Sequence, residues 1–128
     1  MSASPSFGQI MWRDLTVADA DGIRDFYKAV VGWEPSGVDM GDYQDYSMLP
    51  AGEEDAVAGI CHARGSNANI PPVWLIYITV EDVSASVAQV QALGGKVLDG
   101  LRKMGEATFA VIQDPAGAIC ALYEVGEA

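Results

Sequence analysis

The chain has few basic residues and a single histidine. Among its 128 residues, 7 are Lys or Arg and 18 are Asp or Glu, which gives a formal net charge of −11 with His neutral. Phosphate backbones and anionic membrane surfaces are bound by clustered Lys and Arg. The charge balance therefore predicts neither nucleic acid nor a membrane as a partner.

Long apolar runs are also missing. The longest, 73–80 with Thr79 included, is less than half of a membrane span of about 20 residues. Residues 1–8 lack the basic flank and apolar stretch of a leader, so we expect a cytoplasmic protein. Because nothing marks secretion, its two cysteines, Cys61 and Cys120, are expected to be free thiols. Half of the residues are apolar, enough for one domain over 1–128.

The sequence repeats after a shift of 63 residues, which places Asp19 on Asp82. Each half reads as a strand, a capping Asp, an amphipathic helix that ends at glycine, and three short strands separated by turns. The sequence thus predicts an α+β fold of two tandem βαβββ modules, at about 8–63 and 73–125. An extended connector at 64–72, rich in Gly, Asn and Pro, joins them.

The helix of the first half carries its apolar residues at helical spacing, on one stripe that is expected to face a sheet. The stripe consists of Ile23, Phe26, Tyr27, Val30 and Val31. Gly32 follows and is expected to end the helix in the left-handed conformation. In the second half, Asp114-Pro115-Ala116-Gly117 predicts a hairpin turn.

Four groups of residues occur in a particular order and spacing. They are Phe26-Tyr27 with Gly32-Trp33-Glu34, Trp74-Leu75-Ile76-Tyr77 with Val80-Glu81-Asp82, Leu93-Gly94-Gly95-Lys96-Val97, and Phe109-Ala110-Val111-Ile112-Gln113-Asp114-Pro115. Together they resemble the vicinal oxygen chelate superfamily of glyoxalase, bleomycin-resistance and extradiol-dioxygenase-like proteins. The resemblance covers about 7–124. It implies paired modules whose curved, mixed sheets enclose a small-molecule cavity, at or near a homodimer interface.

The resemblance also implies where the superfamily's enzymes hold a first-row divalent metal, on His, Gln or Glu at four strand positions. In this sequence the four positions are Trp12, Gly59, Leu75 and Ala121. None of these side chains is a metal ligand, so we expect neither a metal nor another cofactor. His62 is expected to face solvent at a strand end. A relocated set built from Asp14, Cys61 or His62 is the alternative.

Strand alternation within the implied fold predicts which side chains face the cavity. The predicted ligand-binding residues are Trp12, Asp14, Cys61, Leu75, Tyr77, Thr79 and Tyr123, together with Met48 from a segment, 40–48, that could form a flap. Such a lining suits a flat or amphiphilic ligand, including a cation, because Asp14 can pair a charge and aromatic faces attract one. Alternatively, the aromatic residues fill the cleft, and 40–48 is ordinary hairpin core.

The expected function is binding or sequestration of a small hydrophobic or aromatic molecule, without a metal, by a homodimer. No catalytic residue is predicted. Asp14 is a lone carboxylate, and no nucleophile or second acid accompanies it. Arg102 and Lys103 are expected to be solvated charges in a loop. Two alternatives stay open: a metal-dependent lyase, isomerase or dioxygenase of the same superfamily, and a dimeric structural module whose cavity is filled.

Overall fold

A computed structural model describes residues 6–126, which form two compact units. The N-terminal unit comprises residues 12–74, and the C-terminal unit comprises residues 6–11 and 75–126. Residues 1–5 and 127–128, which the single-domain prediction includes, lie outside the described residues.

The elements follow the order strand, helix and three strands, twice. The strands are β1 (Ile10–Val17), β2 (Glu34–Asp39), β3 (Gln44–Leu49), β4 (Ala58–His62), β5 (Leu75–Thr79), β6 (Lys96–Met104), β7 (Ala107–Gln113) and β8 (Ile119–Glu124), and the helices are α1 (Ala20–Val31) and α2 (Val83–Ala92). The predicted α+β class with two βαβββ modules is therefore confirmed. Within residues 6–126, neither helix has the length and apolarity that crossing a membrane requires.

The helices begin and end at the predicted signals. Asp19 caps α1, because its Oδ1 accepts a hydrogen bond from the backbone N–H of Gly22 at 3.0 Å. Asp82 caps α2 in the same way, with its Oδ1 3.2 Å from the backbone nitrogen of Ala85. Gly32 ends α1 with φ of +86°, a left-handed conformation that residues with a Cβ rarely adopt.

In the N-terminal unit the strands are ordered β2-β3-β4-β1. β1 runs parallel to β4, with Asp14 opposite Gly59, and the other neighbours are antiparallel. The core of the unit lies on the face that α1 covers. It contains the buried residues Ala20, Tyr46, Met48 and Ile60, with Val17, Ile23, Tyr27, Trp33 and Trp74 packed against them.

An aromatic cluster closes one side of this core. The indole N–H of Trp74 donates a hydrogen bond to the hydroxyl of Tyr27 at 3.0 Å. The Trp33 and Trp74 rings meet edge to face, with centroids 5.8 Å apart. The cluster joins α1, the residue before β2 and the last residue of the unit. All three of its residues, Tyr27, Trp33 and Trp74, belong to the motifs that carry the sequence resemblance.

The apolar stripe of α1 faces the sheet only in part, which corrects the prediction. Ile23 and Tyr27 pack on the core, but Phe26, Val30 and Val31 are 54%, 64% and 51% exposed. Phe26 lies about 100° around the helix from Tyr27. Val30 and Val31 lie in the last turn, beyond the contacts that Ile23 and Tyr27 make.

In the C-terminal unit the order is β5-β8-β7-β6. β5 runs parallel to β8, with Tyr77 opposite Ala121. Gly8 and Gln9 pair with Thr79 on β5, through N···O distances of 2.7 and 2.8 Å. The core under α2 contains the buried residues Val83, Ala110, Ile112 and Leu122.

The predicted hairpin turn joins β7 to β8. The Oδ1 atom of Asp114 accepts hydrogen bonds from the backbone N–H groups of Ala116 and Ala118, at 2.8 and 3.0 Å. Gly117 completes the turn with φ of +94°.

We expect the two classes of apolar residue in the N-terminal unit to differ in their effect on stability. Met48→Ala should lower the free energy of unfolding by about 2–5 kcal/mol, because it leaves a cavity in a packed core. Val30→Ser should lower it by less than about 0.5 kcal/mol, because Val30 is exposed. Urea denaturation followed by circular dichroism measures both. A loss above about 1 kcal/mol for Val30→Ser would show that the stripe is covered in solution.

Candidate functional site

Two of the four positions implied for a metal lie side by side in the N-terminal unit. The Trp12 indole packs beside Gly59: a Cβ added at residue 59 would lie 3.5 Å from Cζ2 of Trp12 and 3.2 Å from Cβ of Asp14. The second of these distances is shorter than most real Cβ contacts. A Cβ at residue 59 would thus crowd Asp14 and only touch the ring, and the Trp12–Gly59 pair offers no ligand atom that suits a first-row metal.

The other two positions lie in the C-terminal unit, and both are buried. Leu75 and Ala121 present only hydrocarbon there. Across residues 6–126, no three His, Cys, Asp or Glu side chains come together as a possible metal-binding group. The residues present thus do not fit the metal set that the resemblance implies.

Three of the predicted ligand-binding residues share one face of the N-terminal sheet. Trp12 and Asp14 alternate on β1, and the β1–β4 register places Cys61 on the same side. All three are half-buried. We call this set the Trp12 face. It combines an aromatic ring, a carboxylate and a thiol that a ligand could contact.

The electrostatics of the Trp12 face keep the thiol neutral. Burial, then the nearby carboxylates of Asp14 and Asp45, raise the pKa of Cys61 to about 12. Since the thiolate is the nucleophilic form, Cys61 is a neutral, weakly polar contact at physiological pH. Cys61 and Cys120 are both free thiols in the structure, as predicted.

Met48 lies on the other face of the same sheet. It pairs with Ala58, two residues before Ile60, and it is fully buried in the core under α1. A ligand has no access to it there. This corrects the prediction that Met48 belongs to a flap over the binding site, and the hairpin-core alternative describes its position.

His62 does not face solvent, contrary to the prediction. Its side chain is 15% exposed and lies between two carboxylates: Nδ1 is 3.3 Å from Oδ1 of Asp45, and Nε2 is 3.7 Å from Oδ1 of Asp21. The backbone N–H of His62 also donates to Asp45 at 2.9 Å. With both ring nitrogens directed at carboxylates, His62 ties α1, β3 and β4 together.

The predicted residues of the C-terminal unit are packed more tightly. Leu75, Tyr77 and Thr79 are at most 4% exposed, and Tyr123 is half-buried. The Tyr77 ring lies 6.4 Å from that of Tyr123 and 6.1 Å from that of Phe109, centroid to centroid. Of these four predicted residues, Tyr123 alone keeps appreciable accessible surface.

The sequence does not predict the contact of Phe109 with Tyr77, and it places Arg102 wrongly. Arg102 and Lys103 lie on β6 and pair with Phe109 and Thr108, so neither is in a loop. The Arg102 guanidinium lies 5.2 Å from the centre of the Phe109 ring and 2.6 Å from the Asp99 carboxylate. The signal that could have located Arg102 on a strand is the length of β6. This strand continues to a tight turn, since Met104 pairs with Ala107.

Comparison with known proteins identifies relatives by sequence. A family model described as the Glyoxalase/Bleomycin resistance protein/Dioxygenase superfamily matches residues 6–121. The chain is 35% identical over 115 residues to "Putative glyoxylase CFP32" of Mycobacterium tuberculosis, covering 88% of this chain and 42% of that protein. It is 28% identical over 131 residues to the anthracycline biosynthesis protein DnrV of Streptomyces peucetius, covering 93% and 48%. The chain thus spans about half the length of these curated relatives.

Solved structures show the same fold. Methylmalonyl-CoA epimerase from Mycobacterium tuberculosis matches with a TM-score of 0.55 at 16% identity, over 99% of this chain and 94% of that one. A glyoxalase/bleomycin resistance protein/dioxygenase superfamily member from Vibrio splendidus matches with a TM-score of 0.57 at 13% identity, over 89% and 97%. At these identities the likeness concerns the fold alone.

The raised pKa of Cys61 predicts slow alkylation in the folded protein. A pKa of about 12 in place of 9.0 leaves roughly a thousandfold fewer thiolates at pH 8. Iodoacetamide should therefore label Cys120, whose pKa is raised less by burial, before Cys61, as peptide mapping by mass spectrometry would show. In guanidinium chloride the two should react alike. Fast labelling of Cys61 in the folded protein would contradict the described environment.

Proposed function

Since the chain belongs to the Glyoxalase/Bleomycin resistance protein/Dioxygenase superfamily, as its sequence resemblance predicts, we propose that it binds a small hydrophobic or aromatic molecule without a metal ion. The observation that carries the proposal is the Trp12–Gly59 pair. The indole packs against the glycine, at two positions where the superfamily's enzymes are expected to hold metal ligands. An aromatic surface therefore stands where a metal site is implied.

The chemistry of the Trp12 face defines the class of ligand. A half-buried indole offers a flat apolar surface on which an aromatic ring can stack. The Asp14 carboxylate on the same strand favours a neutral or positively charged partner over an anion. The protonated Cys61 thiol adds a weakly polar contact. Together they suit a planar molecule that carries a cationic group.

One relative suggests a concrete probe. DnrV is named for anthracycline biosynthesis, and anthracyclines are flat, fused-ring aromatic compounds with an amino sugar that is cationic at neutral pH. This combination matches the chemistry of the Trp12 face. We therefore include anthracyclines in the proposed ligand class. The proposed state of the protein is a cytoplasmic homodimer.

A second candidate function is a structural or interaction module whose cleft is filled. The burial of Leu75, Tyr77 and Thr79 in the C-terminal unit favours it, because packed side chains leave a ligand little surface. The two candidates differ in the response of Trp12 to substitution, since a residue that serves only as core contributes to stability and not to binding.

Trp12→Ala should weaken the binding of an anthracycline about tenfold, the loss expected for one aromatic stacking contact. Isothermal titration calorimetry measures the affinity, and Trp12→Phe should retain most of it. The matched control is Trp33→Phe, which changes an indole in the core of the same unit. If Trp12→Ala instead lowers the free energy of unfolding by about 3–5 kcal/mol and no ligand is bound, the filled-cleft candidate is the correct one.

Metal content tests the metal-free part of the proposal. After soaking in Ni, Zn, Mn or Fe salts and washing, elemental analysis of the purified protein should find far less than one ion per chain, because Trp12, Gly59, Leu75 and Ala121 supply no ligand atoms. One tightly bound ion per chain would refute the metal-free proposal and favour the alternative of a metal-dependent lyase, isomerase or dioxygenase.

A further inference from the structure

A recess of about 460 Å³ lies in the C-terminal unit, between α2 and the turn that joins β7 to β8. Ile112 and Leu122, on neighbouring strands, line it from the sheet. Ser86, Gln89 and Leu93 line it from α2. The recess lies on the helix side of the sheet, and none of the residues predicted to bind a ligand lines it. Its volume falls in the range of small-molecule sites, about 300–1,000 Å³.

The packing of α2 accounts for the recess. Val83, Val87 and Val90 contact the sheet and hold the helix against it. At the end of the helix, a Cβ at Gly95 would lie 2.8 Å from both the Val90 side chain and the carbonyl oxygen of Gln113. The helix and β7 therefore approach closely at this end. The flank of α2 that carries Ser86 and Gln89 borders the open side.

The recess is apolar with a single sign of charge at its border. Asp114 is the one charged residue among those that line it within the described chain. Its Oδ1 atom accepts the two turn hydrogen bonds, which fix the carboxylate at the border. After burial, the proximity of Asp114 raises the pKa of Cys120, opposite Ile112 in the β7–β8 ladder. Asp114 thus lies close enough to this face to act on Cys120.

We propose that this recess binds a small apolar amine. The hydrocarbon part lies against Ile112, Leu122 and Leu93, and the ammonium group is directed at the Asp114 carboxylate. A carboxylic acid of the same shape is disfavoured, because it meets a carboxylate with no basic side chain among the described lining residues, in a chain of net charge −11. The site is separate from the Trp12 face and does not depend on the function proposed above.

Three matched probes test the proposal: 4-phenylbutylamine, 4-phenylbutanol and 4-phenylbutyric acid, which differ in the charge of one end. Isothermal titration calorimetry at low ionic strength should show the amine bound about threefold to tenfold more tightly than the acid, with the alcohol between them, as expected for one partly exposed ion pair. Leu93→Ala should weaken the binding of all three probes.

Asp114→Asn is the decisive variant. The Asn amide oxygen can still accept the turn hydrogen bonds, while the charge is removed, so the preference for the amine over the acid should disappear with the fold intact. Asp55→Asn, which removes an exposed carboxylate in the N-terminal unit, is the matched control and should retain the preference. Backbone amide shifts of Ser86 and Gln89 on titration would locate the bound amine.

Trp12→Ala separates this site from the proposed function, because it should leave amine binding unchanged even where anthracycline binding is lost. The proposal is overturned if the amine and the acid bind equally, if neither binds at millimolar concentration, if Asp114→Asn keeps the preference, or if Trp12→Ala abolishes amine binding while circular dichroism shows that it is folded.

Discussion

The parallel pairing of the first and last strands organises each unit. Parallel strands cannot be joined by a tight hairpin, so α1 follows β1 and α2 follows β5 before the chain returns through three strands. The pairing fixes the register: Asp14 lies opposite Gly59, and Tyr77 lies opposite Ala121. Because side chains alternate along a strand, this register decides which residues pack under the helix and which form the opposite face. The Trp12 face follows from this constraint.

Local signals predict the order of the elements and the helix caps, but not the end of β6, which pairing with β7 extends through Arg102 and Lys103. Asp19, Asp82, Gly32 and the turn at Asp114 act within a few residues of themselves, so a single sequence reveals them. The errors concern contacts between distant segments. The flap position predicted for Met48 is wrong because its orientation depends on how β3 pairs with β4. The solvent position predicted for His62 is wrong because Asp21 and Asp45 approach it only in the folded protein. The partial burial of the α1 stripe depends likewise on how much sheet lies beneath the helix.

The two units share one topology but differ in which side chains are accessible. In the N-terminal unit, Trp12, Asp14 and Cys61 keep accessible surface on the face away from α1. In the C-terminal unit, the equivalent strand β5 carries Leu75, Tyr77 and Thr79, which are buried, while Tyr123 on β8 keeps accessible surface. Membership of the superfamily thus determines the order of the elements but not the chemistry of the site, because function depends on side chains placed on a shared scaffold. The metal ligands implied by the resemblance are the clearest example, since the fold is present and the donor atoms are not.

The contact between Trp12 and Gly59 also constrains how this sequence can change. A ligating side chain at residue 59 would begin with a Cβ 3.5 Å from the indole, an ordinary contact distance, but only 3.2 Å from Cβ of Asp14, so Asp14 would have to move slightly to admit it. A metal-binding side chain at residue 12 alone would lie beside Gly59, which supplies no second ligand atom. Residues in contact are not independent in their effects, so a metal centre at this site would need more than one substitution. A change at residue 59 is therefore coupled to the positions of residues 12 and 14, so the three positions on this face can be expected to change together.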